Sequence, residues 1–178
     1  SSSNAQEIAF ARDYLIARSQ NVTLVADDSQ GQDLLADGTV DMVVEYSGDI
    51  FQLAADCGCD IFQYSIPREG TMLWVDNMAI TSGVQNQALA EAFIDYILQP
   101  QVGAAISNFT AYASPNQVAI NMGLIDEPLL TNTAIYPDTA TEQRLFFVQR
   151  SPEVEALYNQ AWQAVMNAII TRPTPTPG

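Results

Sequence analysis

The first half of the chain alternates between short β-branched runs and segments whose apolar side chains have helical spacing. This alternation predicts an α/β fold, in which helices cover a sheet. Ligands of such folds bind beyond the carboxyl ends of strands, and Glu45 and Tyr46 directly follow the apolar run 40–44. The pattern predicts strands at 22–25, 40–44, 61–66 and 73–80, and helices at 5–19, 29–36, 49–55, 86–98, after Pro100, at 139–149 and at 152–170.

The charge balance excludes one class of partner. The 178 residues include 6 basic side chains, all Arg, and 21 acidic ones, for a net charge of -15. Nucleic acid is excluded as a partner, because neutralising phosphates requires clustered Lys and Arg. The acidity suits a cationic ligand, although acidity also simply confers solubility.

The absence of Lys and His also argues against an enzyme. It removes the commonest general base, the usual Schiff-base residue and the commonest metal ligand. Carboxylates, Tyr, Ser and Cys remain, but none of them stands in a recognisable nucleophile-elbow, P-loop or dinucleotide-binding motif. We therefore expect no catalytic residues, no metal site and no cofactor.

Two cysteines stand in the sequence Asp-Cys57-Gly58-Cys59-Asp. A C-x-C pair forms a tight disulfide, binds a metal or remains as two thiols. A zinc site would lack ligands, because the chain has no His and no second pair. A disulfide across one residue is geometrically demanding, although Gly58 removes one steric objection. The sequence leaves the disulfide and the free thiols open, and either would be structural.

The run Trp74-Val75-Asp76 is the main candidate for a binding site. In a strand, side chains alternate between faces, so Trp74 and Asp76 would project together. An aromatic face beside a carboxylate suits an organic ammonium ion, because the ring attracts the cation and the carboxylate supplies the counter-charge. The alternative is a core Trp with a solvated Asp at a strand end.

Over about residues 5–170, the chain carries several motifs in the same order as a known family. It resembles the C-terminal half of the periplasmic spermidine/putrescine-binding proteins that serve ABC importers. The matching stretches are 37–51, the Ile-Pro-Arg-Glu-Gly run at 66–70, and the segments 73–80, 93–102, 112–116 and 135–138.

The resemblance implies a fold and a set of ligand-binding residues. The fold would be a type II periplasmic-binding-protein lobe, with helices around a mixed, mostly parallel sheet, in a two-lobed clamshell that closes on a polyamine. In that family, aromatic rings enclose the methylene chain and carboxylates bind the amines. The family's positions fall on Tyr46, Trp74, Asp76, Tyr112 and Gln149, with Val148 competing for the last; the role of Glu45 is open between a second carboxylate and a solvated strand end.

The resemblance also predicts a lobe arrangement, because family members are about twice as long. Residues 1–75 and 113–170 would form one lobe. The segment 76–112 would pack on the other lobe, most of which would come from the N-terminal half of the family's chain that is missing here, and its helices would expose an apolar face. Residues 171–178 are rich in Pro and Thr, and this composition predicts a flexible tail or linker.

The predicted function is extracytoplasmic capture of a polyamine for a membrane ABC permease, in a periplasmic or extracellular location with or without a membrane tether. Two alternatives remain. One is a binding protein for another organic cation or a metal. The other is a carboxylate-dependent hydrolase with Glu45 and Asp76 as acid and base, which would need about 5 to 9.5 Å between the two carboxyl groups.

Overall fold

The structure is a computed structural model that describes residues 2–25, 27–148 and 150–171. Contacts along the chain divide it into two compact units. One, here called the terminal unit, combines Ser1–Asp27 with Phe147–Gly178, and the other, the central unit, is Asp28–Phe146. None of the helices in the described ranges is both long and apolar enough to span a membrane.

Two helices dominate the terminal unit. Helix α1 (Ala5–Ala17) packs along α9 (Pro152–Ile170), and a 3-10 turn (Ser19–Asn21) contacts both. The Asn4 side chain caps α1 by accepting a hydrogen bond from the Gln6 N–H at 2.8 Å, which satisfies a backbone donor of the first turn. Buried Ile8, Val165 and Ile169 form the contact, so the predicted helices at both ends of the chain are confirmed.

The central unit contains the remaining helices of the described residues. Its buried core lies where α5 (Pro100–Thr110) meets α6 (Gln117–Asn121), at Ala104, Ala119 and Ile125, and Tyr136 packs against this cluster. Asn116 caps α6 by accepting hydrogen bonds from the backbone N–H groups of residues 118 and 119. The helices are α2 (Asp28–Ala36), α3 (Ser47–Cys57), α4 (Gln87–Ile97), α5 (Pro100–Thr110), α6 (Gln117–Asn121), α7 (Glu127–Leu130) and α8 (Thr139–Glu142).

The predicted sheet is not confirmed. Across residues 2–25, 27–148 and 150–171 the only β pairing is an isolated parallel bridge between Met72 and Phe146. The Leu73 N–H donates to the Phe146 carbonyl at 2.9 Å, and the Phe146 N–H donates to the Thr71 carbonyl at 3.2 Å. A strand is defined by a ladder of hydrogen bonds to a neighbouring strand, and within the described residues none of the four predicted segments forms one. Several of their apolar side chains are exposed, among them Met42, Val44 and Ile61.

The helix predicted at 139–149 is wrong beyond its first turn. Helix α8 ends at Glu142, because the following residues pair with the segment after Arg68. The Arg144 guanidinium donates to the Arg68 carbonyl at 2.6 Å, and Gly70, at φ +93°, lets the two backbones approach closely. A β-carbon at Gly70 would collide with the Arg144 carbonyl, so glycine is required there. Of the predicted tail at 171–178, all but Thr171 lies outside the described residues.

Candidate ligand-binding site

The N-terminus of α3 carries the first two candidate residues. Tyr46 precedes the helix in an extended conformation (φ −72°, ψ 142°), and its side chain forms no capping hydrogen bond. The Glu45 carboxylate instead accepts a hydrogen bond from the Tyr46 N–H at 2.9 Å. This bond holds the partly buried Glu45 side chain at the start of the helix.

Trp74 joins this helix end through its indole ring. The ring centroids of Tyr46 and Trp74 lie 4.6 Å apart with an interplanar angle of 69°, an edge-to-face contact. Such a pair stabilises by about 0.5 to 1.5 kcal/mol beyond the area that it buries. Trp74 remains 41% exposed, so aromatic surface is available to a solute.

Tyr112 reaches the same helix end from the residue after the C-cap of α5. That C-cap, Ala111, adopts a left-handed conformation (φ 58°), which turns the chain sharply. The Ser107 hydroxyl donates to the Tyr112 carbonyl and holds the turn. The Tyr112 ring lies against Gly48, where a β-carbon would overlap the ring and lie 2.7 Å from the Thr110 carbonyl.

The charges around this cluster are negative. Burial raises the pKa of Glu45, the nearby Asp28 and Asp49 carboxylates raise it further, and the hydrogen bond from Tyr46 opposes them. The pKa of Tyr112 is also raised. Burial is the largest cause, followed by the negative charge of Asp49 and by a hydrogen bond with Asp49. Within the described residues the ion pairs are Arg12–Asp13, Arg68–Glu69 and Arg150–Glu155, so no Arg neutralises the cluster.

The two remaining candidates are Asp76 and Gln149. Asp76 is exposed, and its side chain makes no hydrogen bond or ion pair with any residue that the structure describes. Its role as an amine ligand therefore stays a prediction. Gln149 lies outside the described residues. The structure thus groups Glu45, Tyr46, Trp74 and Tyr112.

Two further residues belong to this group that the sequence reasoning missed. Asp49 lies in the first turn of α3 beside Tyr112, and a Tyr–x–x–Asp spacing at a helix start was the available signal. Tyr64 packs on Phe51 with ring centroids 5.8 Å apart, and the pKa of its hydroxyl is raised first by burial and then by the charge of Glu45. The sequence carries no signal for Tyr64, because the alternation of apolar and polar residues does not show which element a face of a strand packs against.

The cysteine pair lies at the opposite end of α3. Cys57 and Cys59 are joined by a disulfide across Gly58, whose left-handed conformation (φ 58°) ends the helix. Of the three states that the sequence allowed, the structure adopts the disulfide. The residues described hold no group of three His, Cys, Asp or Glu side chains arranged to bind a metal.

Comparison with known proteins places these observations in a family. Residues 3–133 match the family model described as bacterial extracellular solute-binding protein. The chain is 33% identical over 145 residues to the putrescine/agmatine-binding protein of Pseudomonas aeruginosa, covering 78% of this chain and 39% of that protein. It is 30% identical to the putrescine-binding periplasmic protein PotF of Escherichia coli, covering 74% of this chain and 36% of that protein.

A third relative, the spermidine/putrescine-binding periplasmic protein of Salmonella typhimurium, is 24% identical over 158 residues, which cover 89% of this chain. That alignment covers 44% of the Salmonella protein, so the chain spans less than half the length of the curated relatives named here. The family model nevertheless covers most of the chain, including the α3 N-terminus, Trp74 and Tyr112. The chain belongs to the family of bacterial extracellular solute-binding proteins.

Proposed function

We propose that this chain is part of an extracytoplasmic binding protein that captures a polyamine, such as putrescine or spermidine, for an ABC importer. The names of the relatives support the ligand class. The observation that carries the proposal is the Tyr46–Trp74 ring pair beside Glu45 and Asp49 at the start of α3.

A polyamine requires two kinds of contact, and this cluster offers both. Each methylene covered by an aromatic ring contributes about 0.8 kcal/mol. Each ammonium over a ring adds about 0.5 to 2 kcal/mol, depending on desolvation. A carboxylate is also needed, because burying an ammonium without a partner costs more than these gains. Burial raises the pKa of Glu45 and the Asp28 and Asp49 charges add to it, and a bound cation would offset the repulsion between these carboxylates.

Within this proposal, each residue has a role. The rings of Tyr46, Trp74 and Tyr112 would line the methylene chain. Asp76 and Asp49 would accept hydrogen bonds from ammonium groups, and Glu45 would add charge nearby. Gln149 would supply a polar contact to the ligand. Closing a cleft over the ligand would exclude water and strengthen every charged contact.

The finer fold and the lobes are part of the same proposal. The segments at 22–25, 40–44, 61–66 and 73–80 would join a mixed, mostly parallel sheet of a type II periplasmic-binding-protein fold. Residues 1–75 and 113–170 would form one lobe, and the segment 76–112 would pack on a second lobe of the full-length protein. Exposed apolar side chains on that segment support the packing, among them Leu89, Phe93 and Phe109.

The partner and the location follow from the same reasoning. A membrane ABC permease would recognise the closed, liganded form and import the solute. The protein would work in the periplasm or at the cell surface, with or without a membrane tether. The role is binding without bond-making, which agrees with relatives that are named as binding proteins.

Titration calorimetry of the full-length protein tests the proposal. We expect heat with putrescine and spermidine, and none with 1,4-butanediol, a neutral molecule of similar shape to putrescine. Asp76→Asn should abolish binding of the diamine. The matched control is Asp126→Asn, which removes the same charge from an exposed position before α7 and should leave binding unchanged. A protein that gives no heat with either polyamine would refute the proposal.

A further inference from the structure

The disulfide at the C-terminus of α3 has no role in the proposed binding contacts. Cys57 is exposed and Cys59 is partly exposed, so a solute can reach the sulfurs. The Cα atoms of the two cysteines lie 5.2 Å apart. The N–H groups of Gly58 and Cys59 donate to the carbonyls of Ala55 at 3.1 Å and Ala54 at 3.4 Å, which satisfies acceptors at the helix end.

The segment after the disulfide returns along α3 to the candidate site. From Phe51 to Cys57 the helix advances about 9 Å, at about 1.5 Å per residue. The five residues from Cys59 to Tyr64 reach at most about 17 Å when extended. The Tyr64 ring nevertheless contacts the Phe51 ring, at 5.8 Å between centroids. The chain must therefore reverse direction after the end of α3, and the left-handed Gly58 lies at the start of this reversal.

We propose that the Cys57–Cys59 disulfide is a thiol-exchange site that fixes this reversal and thereby positions Tyr64 against α3 beside Glu45. The positioning follows from the covalent ring across Gly58, which restricts the direction in which the chain leaves the helix. The effect on ligand affinity rests on the proposed function, because it assumes that the α3 cluster binds a polyamine. Reduction would leave the reversal to the hydrogen bonds of Gly58 and Cys59 alone.

The exchange reaction needs an external dithiol. A thiolate of the dithiol attacks Sγ of Cys57, the bond between the two protein sulfurs breaks, and its electron pair passes to Sγ of Cys59, which takes a proton from water. The second thiolate of the reagent then attacks the mixed disulfide and releases the Cys57 thiolate, which is also protonated. The protein gains two electrons and two protons, and the reagent becomes a cyclic disulfide.

The surroundings favour a weakly charged reductant. Cys57 lies in the last turn of α3, where the negative end of the helix dipole disfavours a thiolate. Its Sγ also lies 3.3 Å from the Ala54 carbonyl oxygen. Asp56 and Asp60 flank the pair, so they repel an anionic thiol more strongly than dithiothreitol.

The test compares the oxidised and the reduced full-length protein. Dithiothreitol should add two thiols, read by mass spectrometry after alkylation, and air oxidation should remove them. Amide hydrogen exchange without ligand should become faster at residues 59–66 on reduction. Putrescine should bind less tightly to the reduced form, by at most on the order of tenfold. The effect is small because the Cys57–Cys59 disulfide closes a very short loop, and closing so short a loop removes little conformational entropy from the chain.

Two variants make the test specific. Cys57→Ser/Cys59→Ser should behave as the reduced protein and should not respond to dithiothreitol. Tyr64→Ala should bind more weakly in the oxidised form and should lose the difference between redox states. Equal exchange and equal affinity in both states, or a disulfide that dithiothreitol does not open, would overturn this inference alone. No putrescine binding by the oxidised protein would instead refute the proposed function, while the exchange data would still decide whether the disulfide fixes the segment.

Discussion

At the scale of single residues, the two tryptophans are similarly exposed but lie in different surroundings. Trp74 is 41% exposed and Trp162 is 50% exposed, so both present a large part of the indole to solvent. Trp74 contacts Tyr46 at the acidic start of α3. Trp162 instead lines an apolar cavity of about 320 Å³ between α1 and α9 in the terminal unit. Their similar exposure makes them matched probes.

Trp74→Ala should weaken putrescine binding about thirtyfold. The loss combines a cation–π contact with the cover of at least one methylene, together on the order of 2 kcal/mol, and each 1.4 kcal/mol is a factor of ten. Titration calorimetry measures the change, and Trp162→Ala should leave the dissociation constant unaltered. A similar loss in both variants would mean that the effect is on folding, not on the site.

Glu45→Gln should stabilise the ligand-free protein while weakening polyamine binding. The pKa of Glu45 in the folded state lies above its usual value of 4.5, so the ionised carboxylate destabilises the fold at neutral pH. That cost disappears as the pH falls through the raised pKa. The variant should therefore melt at a higher temperature than the wild type at pH 7, and the difference should vanish below pH 4.5.

Thermal unfolding over this pH range gives the measurement, and Glu127→Gln, at the first turn of α7, is the control. Glu127 is exposed, so that variant should change stability by no more than about 0.5 kcal/mol at pH 7. A lower melting temperature for Glu45→Gln at pH 7 would contradict the electrostatic account of the site.

At the scale of elements, α3 organises the candidate site because Gly48 admits the Tyr112 ring. A β-carbon at this position would overlap the ring and would lie 2.7 Å from the Thr110 carbonyl. Tyr112 is in turn held by the left-handed turn at Ala111. The first turn of α3 and the end of α5 therefore fit together only when residue 48 has no side chain.

Gly48→Ala should lower the free energy of unfolding by about 1 to 3 kcal/mol, the usual cost of overpacking. It should also weaken putrescine binding, because Tyr112 would be displaced from Asp49. Gly103→Ala, within α5, is the matched control: its nearest neighbours lie at 3.7 to 3.9 Å, an ordinary contact distance. That variant should gain about 0.5 to 1 kcal/mol, since alanine is the better helix residue.

Urea unfolding of both variants measures the difference. Equal stabilisation by the two substitutions would show that Tyr112 does not lie on Gly48.

The elements also show which parts of the fold could be predicted. Helices α3, α4 and α9 follow from local spacing and caps, which act within a few residues and can be read from the sequence. The sheet could not be established in this way, because a strand such as 40–44 depends on a neighbour that its own residues do not specify. The resemblance assigned Trp74 and Tyr46 to one ligand site, whereas the place of Tyr64 against Phe51 depends on packing that the sequence does not reveal.

At the scale of the whole molecule, the segment 76–112 carries apolar surface that the central unit does not cover. Phe93 in α4 is 59% exposed, and Leu89 and Phe109 are also exposed. Soluble proteins seldom leave several large apolar side chains uncovered in one segment without a partner. In the lobe arrangement proposed here, a second lobe of the full-length protein covers them.

The Phe93→Asp substitution therefore tests whether a second lobe covers this apolar surface or leaves it in solvent. If Phe93 is buried by a second lobe, the new carboxylate would be desolvated without a partner, and the full-length protein should lose more than about 2 kcal/mol of unfolding free energy. The matched control is Met122→Asp, because Met122 is 54% exposed and lies in the segment 113–170, outside the proposed interface. It should change stability by no more than about 0.5 kcal/mol. Urea unfolding measures both, and a Phe93→Asp protein as stable as the control would mean that this face of α4 remains in solvent.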